Sequence, residues 1–283
     1  MPSMIRPAIP LAVLLAACLA GCVVVPEQQH ALVLEADGTL VQRPMRCEDA
    51  TEGPGRGALD PHLIRLASWN LHKQADPGWQ SELGRLVAQS DLVLLQEAGV
   101  SPELRTVVEH GGLSWLLSSA FEYGGFEYGV LTATRAAPAA ACTLRAYEPL
   151  LRIPKAALVT YYRLARGEST LAVVNVHAIN FTLGTVAYRA QLDAVAVALA
   201  RHRGPIVLAG DFNTWSDERM AAVRELASRL SLAPVVFPVD ERTRFMGRIF
   251  DWIYARGVEV TAANAWSVES SDHNPLTVSF RVP

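Results

Sequence analysis

An apolar run that ends abruptly in polar residues is the feature that most constrains how this chain can fold. Residues 205–209, Pro-Ile-Val-Leu-Ala, are followed at once by Gly210, Asp211, Phe212 and Asn213. Because side chains alternate along a strand, Asp211 and Asn213 point to one side at the sheet's edge. Such a pair either closes an Asx turn or contributes to a site for a cation or an activated water. The tetrapeptide alone leaves both interpretations open.

Carboxylates, amides and histidines recur at five further places where an apolar run gives way to a loop or is interrupted. Each place taken alone is compatible with a helix cap or a turn. A carboxylate between Phe250 and Trp252 is harder to explain this way, because it is costly to bury unless it is paired. We therefore predict one shared site, and its candidate residues are Asn70, Glu97, Asn175, His177, Asp211, Asn213, Asp251, Asp272 and His273.

Strand-like runs and amphipathic segments alternate from about His62 to the end of the chain. Periodicity predicts helices over 79–90, 184–202 and 218–230. This mixture of predicted strands and helices indicates one α/β (α+β) domain over 62–283, in which mixed sheets stack face to face and helices cover the outside. The predicted strands are 63–69, 92–95, 115–118, 128–134, 143–147, 157–164, 170–176, 205–209, 250–255 and 276–282.

A short aromatic repeat lies within this domain. Phe-Glu-Tyr-Gly occurs at 121–124 and again at 126–129. The repeat is too short for a repeat architecture, and it predicts an aromatic hairpin.

The first 21 residues have the character of a signal peptide. Arg6 precedes the apolar run 9–20, and Leu-Ala-Gly then precedes Cys22, which resembles the bacterial lipoprotein cleavage motif. The alternatives are an ordinary secretory signal and an uncleaved anchor. With lipid on Cys22, the protein would be lipid-anchored in the bacterial cell envelope, periplasmic or outer-membrane. Residues 22–61 are predicted to be a tether and N-terminal extension with one hairpin near Asp37.

Apart from Cys18 in the predicted signal peptide and the predicted lipid attachment at Cys22, two cysteines remain, Cys47 and Cys142. In an oxidising compartment they would form a disulfide worth about 4–5 kcal/mol in the chain-entropy model. Two unpaired thiols are the alternative. A zinc site of another fold is disfavoured, since the chain has no CxxC, HExxH or HxHxD cluster.

The order of the polar motifs resembles that of the endonuclease/exonuclease/phosphatase superfamily, which includes DNase I-like nucleases and sphingomyelinases. The resemblance implies a four-layered α/β/β/α sandwich. It also implies a phosphoesterase, dependent on Mg²⁺ or Mn²⁺, that hydrolyses a phosphodiester of nucleic acid or phospholipid by in-line attack of water. The motifs are Trp69-Asn70, Leu95-Gln96-Glu97, Asn175-Val176-His177, Gly210-Asp211-Phe212-Asn213 and Ser271-Asp272-His273.

The resemblance also implies a role for each residue. Glu97 would be the principal metal ligand, assisted by Asn70 and Asp272. Asp211 and Asn213 would orient the attacking water and a phosphate oxygen. His273, whose tautomer Asp251 fixes, and His177 would contact the phosphate. Apart from the resemblance, Lys155 and Asn175 are further candidates for a phosphate contact.

Several alternatives stay open at this stage. A net charge of −3 gives no general attraction to nucleic acid, while a phosphate ligand remains compatible with a local cluster. Lys73 and Lys155 would supply positive charge to the site or be solvated surface residues. The second functional hypothesis is a catalytically silent surface binding or structural lipoprotein on the same scaffold. The sequence predicts no oligomeric state.

Overall fold

Two β-sheets stack face to face in this protein, with helices on both outer surfaces. The computed structural model describes residues 23–35, 37–49, 57–166 and 169–283. Over these residues, one sheet has nine strands and the other has six. This arrangement is the four-layered α/β/β/α sandwich that the resemblance implied. The predicted signal peptide and the predicted lipid attachment at Cys22 lie outside the described residues.

The strands in the described part of the chain are numbered in chain order. They are β1 (Val23–Val24), β2 (Ala31–Leu34), β3 (Leu40–Arg43), β4 (Ile64–Asn70), β5 (Leu92–Gly99), β6 (Ser114–Tyr123), β7 (Phe126–Thr134), β8 (Ala140–Tyr147), β9 (Pro154–Arg163), β10 (Thr170–His177), β11 (Ile206–Asp211), β12 (Ala233–Pro234), β13 (Arg244–Phe245), β14 (Arg248–Ile249), β15 (Asp251–Arg256), β16 (Glu259–Ala265) and β17 (Leu276–Arg281).

The first sheet has the strand order β16-β17-β4-β5-β7-β6-β2-β3, and β1 also pairs with β6. The second sheet has the order β12-β15-β11-β10-β9-β8, and β13 pairs with β14 separately. Leu66, Val173 and Val207 belong to the apolar layer between the two sheets. β10 is buried along its whole length. A strand that is buried on both faces needs apolar residues on both sides, which explains why most of β10 is apolar.

Four α-helices cover the outer faces of the described sandwich. α1 (Trp79–Gln89) and α2 (Pro102–His110) pack on the first sheet. α3 (Val186–Leu199) and α4 (Asp217–Arg229) pack on the second. None of the described helices is both long and apolar enough to cross a membrane.

Two parallel strand pairs position the predicted site. β4 runs parallel to β5, and β10 runs parallel to β11. The carboxyl ends of parallel neighbours meet at one edge of their sheet. Asn70 is thereby paired with Gln96, next to Glu97, and His177 is paired with Asp211.

Within the predicted tether, the described residues 31–34, 40–43 and 47 are joined to the folded domain, which corrects the prediction of a tether for this part. Its hairpin is confirmed as β2 and β3, and β2 continues the first sheet beside β6. A disulfide joins Cys47 to Cys142 on β8, and Gln29 donates to the carbonyl of Thr143. These strands are only four residues long, so they carry too little periodicity to distinguish an edge hairpin from a flexible linker.

Two of the longer elements, α2 and β16, were missed from the sequence, as were the two-residue strands β1, β12, β13 and β14. α2 had a start signal, because Ser101 caps it by accepting from the backbone N–H of Leu104, and Pro102 follows. β16 is mostly exposed and rich in alanine, so it lacks the alternation of a half-buried strand. The aromatic hairpin is confirmed as the β6–β7 turn, where Tyr123 pairs with Phe126.

Candidate active site

The turn after β11 is both an Asx turn and part of the site. The backbone N–H of Asn213 donates to Asp211 Oδ1 at 2.9 Å, which closes the turn. Gly210 has φ 141°, and a Cβ there would meet the carbonyl oxygen of Val176 at 1.9 Å, so this position requires glycine. Asn213 itself adopts φ 49°. The turn holds the Asp211 carboxylate in the cleft at the edge of both sheets.

Amide groups from both sheets hold the Asp211 carboxylate in place. Asn70 Nδ2 donates to Asp211 Oδ2 at 3.1 Å, and Asn213 Nδ2 lies 3.3 Å from the same oxygen. The backbone of Asn70 is itself held in place, because the Ser271 hydroxyl donates to the backbone carbonyl oxygen of Asn70 at 2.7 Å. Burial raises the pKa of Asp211 above its ordinary value, against the opposing charge of His273. Asp211 is therefore a stronger proton acceptor than an exposed aspartate.

Glu97 leaves β5 through an irregular, left-handed backbone position. The β5–β7 register shifts between Leu95 and Ala98, and Glu97 adopts φ 51°. Such a conformation costs about 1–3 kcal/mol for a residue with a side chain, and it turns the carboxylate into the cleft. Lys73 Nζ lies 2.6 Å from Glu97 Oε2, and Lys155 Nζ lies 3.5 Å from Oε1. Burial opposes the charge of Glu97, but the positive groups around it hold its pKa well below its ordinary value.

His177 is buried between Asp211 and Lys155. Its Nε2 lies 3.4 Å from Asp211 Oδ2 and 3.0 Å from Lys155 Nζ. Burial, followed by the ammonium of Lys155, lowers the pKa of His177 well below its ordinary value. The imidazole is therefore neutral at pH 7, and its Nε2 accepts a hydrogen bond from Lys155.

His273 has the opposite protonation state. Its Nδ1 lies 2.8 Å from Asp251 Oδ2, and its Nε2 lies 4.0 Å from Asp211 Oδ2. Burial disfavours the charge of His273, but Asp251 and Asp211 together outweigh it and raise the pKa of His273 to about 10. Trp69 Nε1 donates to the His273 carbonyl at 2.7 Å and fixes its backbone. His273 is therefore an imidazolium at neutral pH.

The structure brings most of the predicted residues together, with two exceptions. Asn175 is fully buried: its Nδ2 donates to the carbonyls of Leu95 and Leu131, and its Oδ1 accepts from Gln96. This corrects its prediction as a phosphate contact, because its hydrogen bonds are used to join the two sheets. Asp272 keeps 58% of its side chain exposed, and its ion-pair partner is His72, 3.8 Å away.

Sequence reasoning missed two buried charged residues near the site. Arg219 donates to the carbonyls of Ile179, Asn180 and Asn213. Glu148 accepts from the backbone N–H groups of Asn180 and Phe181. A signal existed for Arg219, because it lies at helical spacing with the buried Ala222, Val223 and Leu226.

The oxygen donors of the cleft fit a hard divalent cation. Among the described residues, no group of three or more histidine, cysteine, aspartate or glutamate side chains is arranged to hold a metal. Mg²⁺ does not require such a group, because it is often bound through one or two carboxylates and keeps several waters. Glu97 is charged, only 14% exposed and already in contact with an ammonium group. Glu97 is therefore the residue best placed to hold a cation.

Comparison with known families and structures agrees with this fold. Residues 67–273 match the family model described as the endonuclease/exonuclease/phosphatase family. At 16% identity, the catalytic domain of human Nocturnin superposes with a TM-score of 0.62 over 80% of this chain and 97% of that one. A family member from Bacteroides vulgatus has a TM-score of 0.61 at 17% identity, over 78% and 99% of the two chains. These structures show a shared fold.

The chain belongs to the endonuclease/exonuclease/phosphatase family, which includes metal-dependent phosphoesterases. Its sequence identity to the UPF0294 proteins is much higher than its identity to these solved structures. The protein from Vibrio parahaemolyticus is 40% identical over 271 residues, which cover 94% of each chain. The protein from Yersinia pestis is 43% identical over 222 residues, which cover 77% of this chain and 84% of that relative.

Proposed function

We propose that this protein is a divalent-metal-dependent phosphodiesterase that acts by in-line attack of water. One observation carries the proposal: the Asp211 carboxylate lies 3.4 Å from a neutral histidine, His177, and 4.0 Å from a charged one, His273. Groups whose pKa values are driven apart within one cleft are typical of acid–base chemistry. A plain core would not need two histidines of opposite charge around one buried carboxylate.

Each of these residues has a defined part in the proposed reaction. Asp211, held by Asn70 and Asn213, accepts a proton from the attacking water. The water oxygen bonds to phosphorus, and the bond from phosphorus to the departing oxygen breaks on the opposite side. His273, kept protonated by Asp251, donates a hydrogen bond to the oxygens on which negative charge develops. The departing alkoxide takes a proton from solvent.

Lys155 and Glu97 set the charge at the other end of the cleft. Lys155 donates to His177 and is in a position to attract a phosphate group. Glu97, with Asn70, would hold Mg²⁺ or Mn²⁺, and the bound ion would neutralise charge on the phosphate oxygens. Asp272 is proposed as a more distant ligand, in keeping with its exposed carboxylate.

The proposed substrate is a phosphodiester of nucleic acid or phospholipid. Support comes from the family, and from fold neighbours such as ANGEL2, described as a 2',3'-cyclic phosphatase, with a TM-score of 0.62 at 16% identity. We also propose that the protein is a lipoprotein of the bacterial envelope, anchored through Cys22. The disulfide between Cys47 and Cys142 supports an oxidising compartment. Mass spectrometry of the membrane-extracted protein tests the anchor, which an unmodified N-terminus away from Cys22 would exclude.

Hydrolysis of bis-(p-nitrophenyl) phosphate with Mg²⁺ or Mn²⁺, against EDTA, tests the enzymatic proposal. The variants Glu97→Gln and His273→Ala are expected to lose turnover by about 10²–10⁴-fold. Glu259→Gln and His110→Ala are matched controls, since both residues lie on the exposed surface. Metal-dependent turnover no greater than that of the Glu97→Gln, His273→Ala double variant would favour the alternative, a catalytically silent binding or structural lipoprotein.

A further inference from the structure

A cavity of about 410 Å³ opens directly beside the catalytic cleft. Glu97, Lys155 and His177 form its polar end. The remaining walls come mainly from the aromatic hairpin and the loop after β8. They include Phe121, Tyr128, Val130, Leu151 and Ile153. A phosphoester held at the polar end would therefore have its organic part against apolar side chains.

A second cavity, of about 450 Å³, adjoins the first. The two share Phe181, and the second is also lined by Leu150, Trp215, Phe245 and Phe250. Phe250 belongs to the catalytic region as well, because its ring centroid lies 6.3 Å from that of His273. Apolar surface therefore flanks the reacting centre on two sides.

Large apolar side chains also project into solvent from the loops near this cleft. In the loop before α3, Leu183 is 83% exposed, and in the β13–β14 turn, Met246 is 88% exposed. Leu150, Leu151, Phe181 and Phe245 are more than half exposed as well. Single exposed apolar residues are common, but a cluster around one opening indicates contact with an apolar partner. We call these six residues the rim.

Buried charges hold part of the rim in a fixed position. Glu148 accepts from the backbone N–H groups of Asn180 and Phe181 at 2.9 and 3.3 Å. Arg219 donates to the carbonyls of Ile179 and Asn180, both at 2.6 Å. A loop that is ordered in advance loses less conformational freedom when it inserts into a partner.

The charges around the cleft favour a lipid over a nucleic acid. Nucleic-acid sites need lysine and arginine side chains that are available to neutralise successive phosphates. Near the rim, Arg244 is paired with Asp240 at 2.9 Å, and Arg248 is paired with Asp217 at 2.6 Å. Asp240 also pairs with Arg242, so these guanidinium groups are engaged by carboxylates of the protein and are not free to contact successive phosphates.

Resting on the proposed phosphodiesterase function, we propose that the substrate is a membrane phospholipid. Its phosphodiester binds at the polar end near Glu97 and His177, its glycerol-ester part occupies the adjoining cavity, and the rim enters the lipid surface. Val23, the first described residue, lines the same cavity, so the chain enters the fold beside the cleft. An anchor at Cys22 would then hold the opening toward the membrane.

Three substrates distinguish the possibilities, each offered with Mn²⁺ to the full-length chain purified in detergent. They are vesicles of phosphatidylethanolamine and phosphatidylglycerol, soluble bis-(p-nitrophenyl) phosphate, and a single-stranded DNA oligomer. The rim variant Leu183→Ser, Met246→Ser is expected to lower the ratio of vesicle to soluble turnover about tenfold, because two apolar side chains no longer enter lipid. The matched control is Val197→Ser, Val260→Ser, which removes exposed apolar residues on α3 and β16 and is expected to keep the ratio.

A filled cavity provides a second, independent variant. Ile153→Trp is expected to lower turnover of vesicle phospholipid more than that of the soluble ester, while Val197→Trp, on the exposed face of α3 away from the cavity, preserves the ratio. Faster turnover of DNA than of vesicles, or an unchanged ratio in both the rim and Ile153→Trp variants, would overturn the lipid assignment and leave the phosphodiesterase proposal standing. Absence of turnover with all three substrates would overturn the phosphodiesterase proposal itself.

Discussion

Lys73 Nζ lies 2.6 Å from Glu97 Oε2, so an ammonium group of the chain contacts the carboxylate best placed to hold a divalent ion. The backbone conformation of residues 72–74 places Lys73 beside Glu97. His72, Lys73 and Gln74 all adopt positive φ, and Gln74 bonds in both directions to the backbone of Gly99 at the end of β5. Lys73 and a bound cation would therefore repel each other at Glu97.

Removing the Lys73 charge is expected to strengthen binding of the metal ion. In Lys73→Met, the dissociation constant for Mn²⁺ should fall about fivefold to tenfold, the effect being moderated because Lys73 is half exposed. Calorimetric titration measures this without reference to turnover. Arg281→Met is the matched control, an exposed cation paired with Glu259 at the surface. Weaker or unchanged Mn²⁺ binding in Lys73→Met would contradict the prediction.

Asp251 is expected to keep His273 protonated. In Asp251→Asn, the pKa of His273 should fall from about 10 by about one to three units, because the nearest negative charge is lost. Heteronuclear NMR of the imidazole nitrogens follows this titration directly. Asp217→Asn removes an exposed carboxylate on α4 and should leave the His273 titration in place. A His273 titration that is the same in Asp251→Asn and wild type would refute the coupling.

The ion pair between His30 and Glu127 is expected to make stability depend on pH. The hydrogen bond that His30 Nε2 donates to the Glu127 carboxylate raises the pKa of His30 above 6.5. Burial opposes the charge of Glu127, but the hydrogen bond from His30 helps to lower its pKa below 4.5. His30 therefore stabilises fully below pH 6.5 and loses this effect as the pH rises through its raised pKa. Glu127 stabilises fully above pH 4.5 and loses this effect as the pH falls through its lowered pKa.

His30→Gln should consequently lower the free energy of unfolding by about 1 kcal/mol near pH 5–6, and by less at alkaline pH. Urea denaturation at several pH values measures the difference. His110→Gln, at the exposed end of α2, serves as the control. A difference between His30→Gln and wild type that does not vary with pH would show that the pair acts only through packing.

Asn175 is expected to be a stability residue. Its amide joins Leu95, Leu131 and Gln96 of the first sheet to β10 of the second. Asn175→Ala should lower the free energy of unfolding by about 2–3 kcal/mol, because two backbone carbonyls lose a donor in a buried layer. Asn264→Ala, on the exposed face of β16, should have little effect. Equal denaturation midpoints for Asn175→Ala and wild type would count against the role.

The disulfide is expected to contribute substantially to stability. It links residues 95 positions apart, so the double variant Cys47→Ser, Cys142→Ser should lower the free energy of unfolding by about 4–5 kcal/mol. Denaturation of the wild type with and without reductant gives an independent measure. Identical midpoints under both conditions would exclude the predicted contribution.

Much of the fold and of the cleft could be predicted from the sequence for a physical reason. The apolar runs before Asn70, Asp211 and His177 are strands buried on both faces, so an abrupt polar end was a strong signal. Asn175 is also a polar residue at the end of an apolar run, but it does not face the cleft. Its amide donates to backbone carbonyls of the opposite sheet. A sequence pattern cannot distinguish a group facing the cleft from one facing the other sheet.

Contacts made across the fold were the hardest to foresee. Arg219 lies on the apolar side of α4, yet it donates to carbonyls of the loop after β10, which is distant in sequence, as well as to the nearby carbonyl of Asn213. Lys73 depends on three successive left-handed residues without glycine, which no local propensity favours. The N-terminal strands are short edge additions whose stability comes from β6 and from the disulfide, so their own composition revealed little.

The bond between Cys47 and Cys142 also decides how the protein would respond to a mechanical load. Tension applied at Val23 first peels β1 and β2 from β6, where hydrogen bonds can break one after another. It then meets a covalent link to β8 of the second sheet. Unravelling from the amino end therefore stops at Cys47, before it reaches β4 and Asn70. A chain held at that end in a moving membrane would keep its catalytic residues in register under shear.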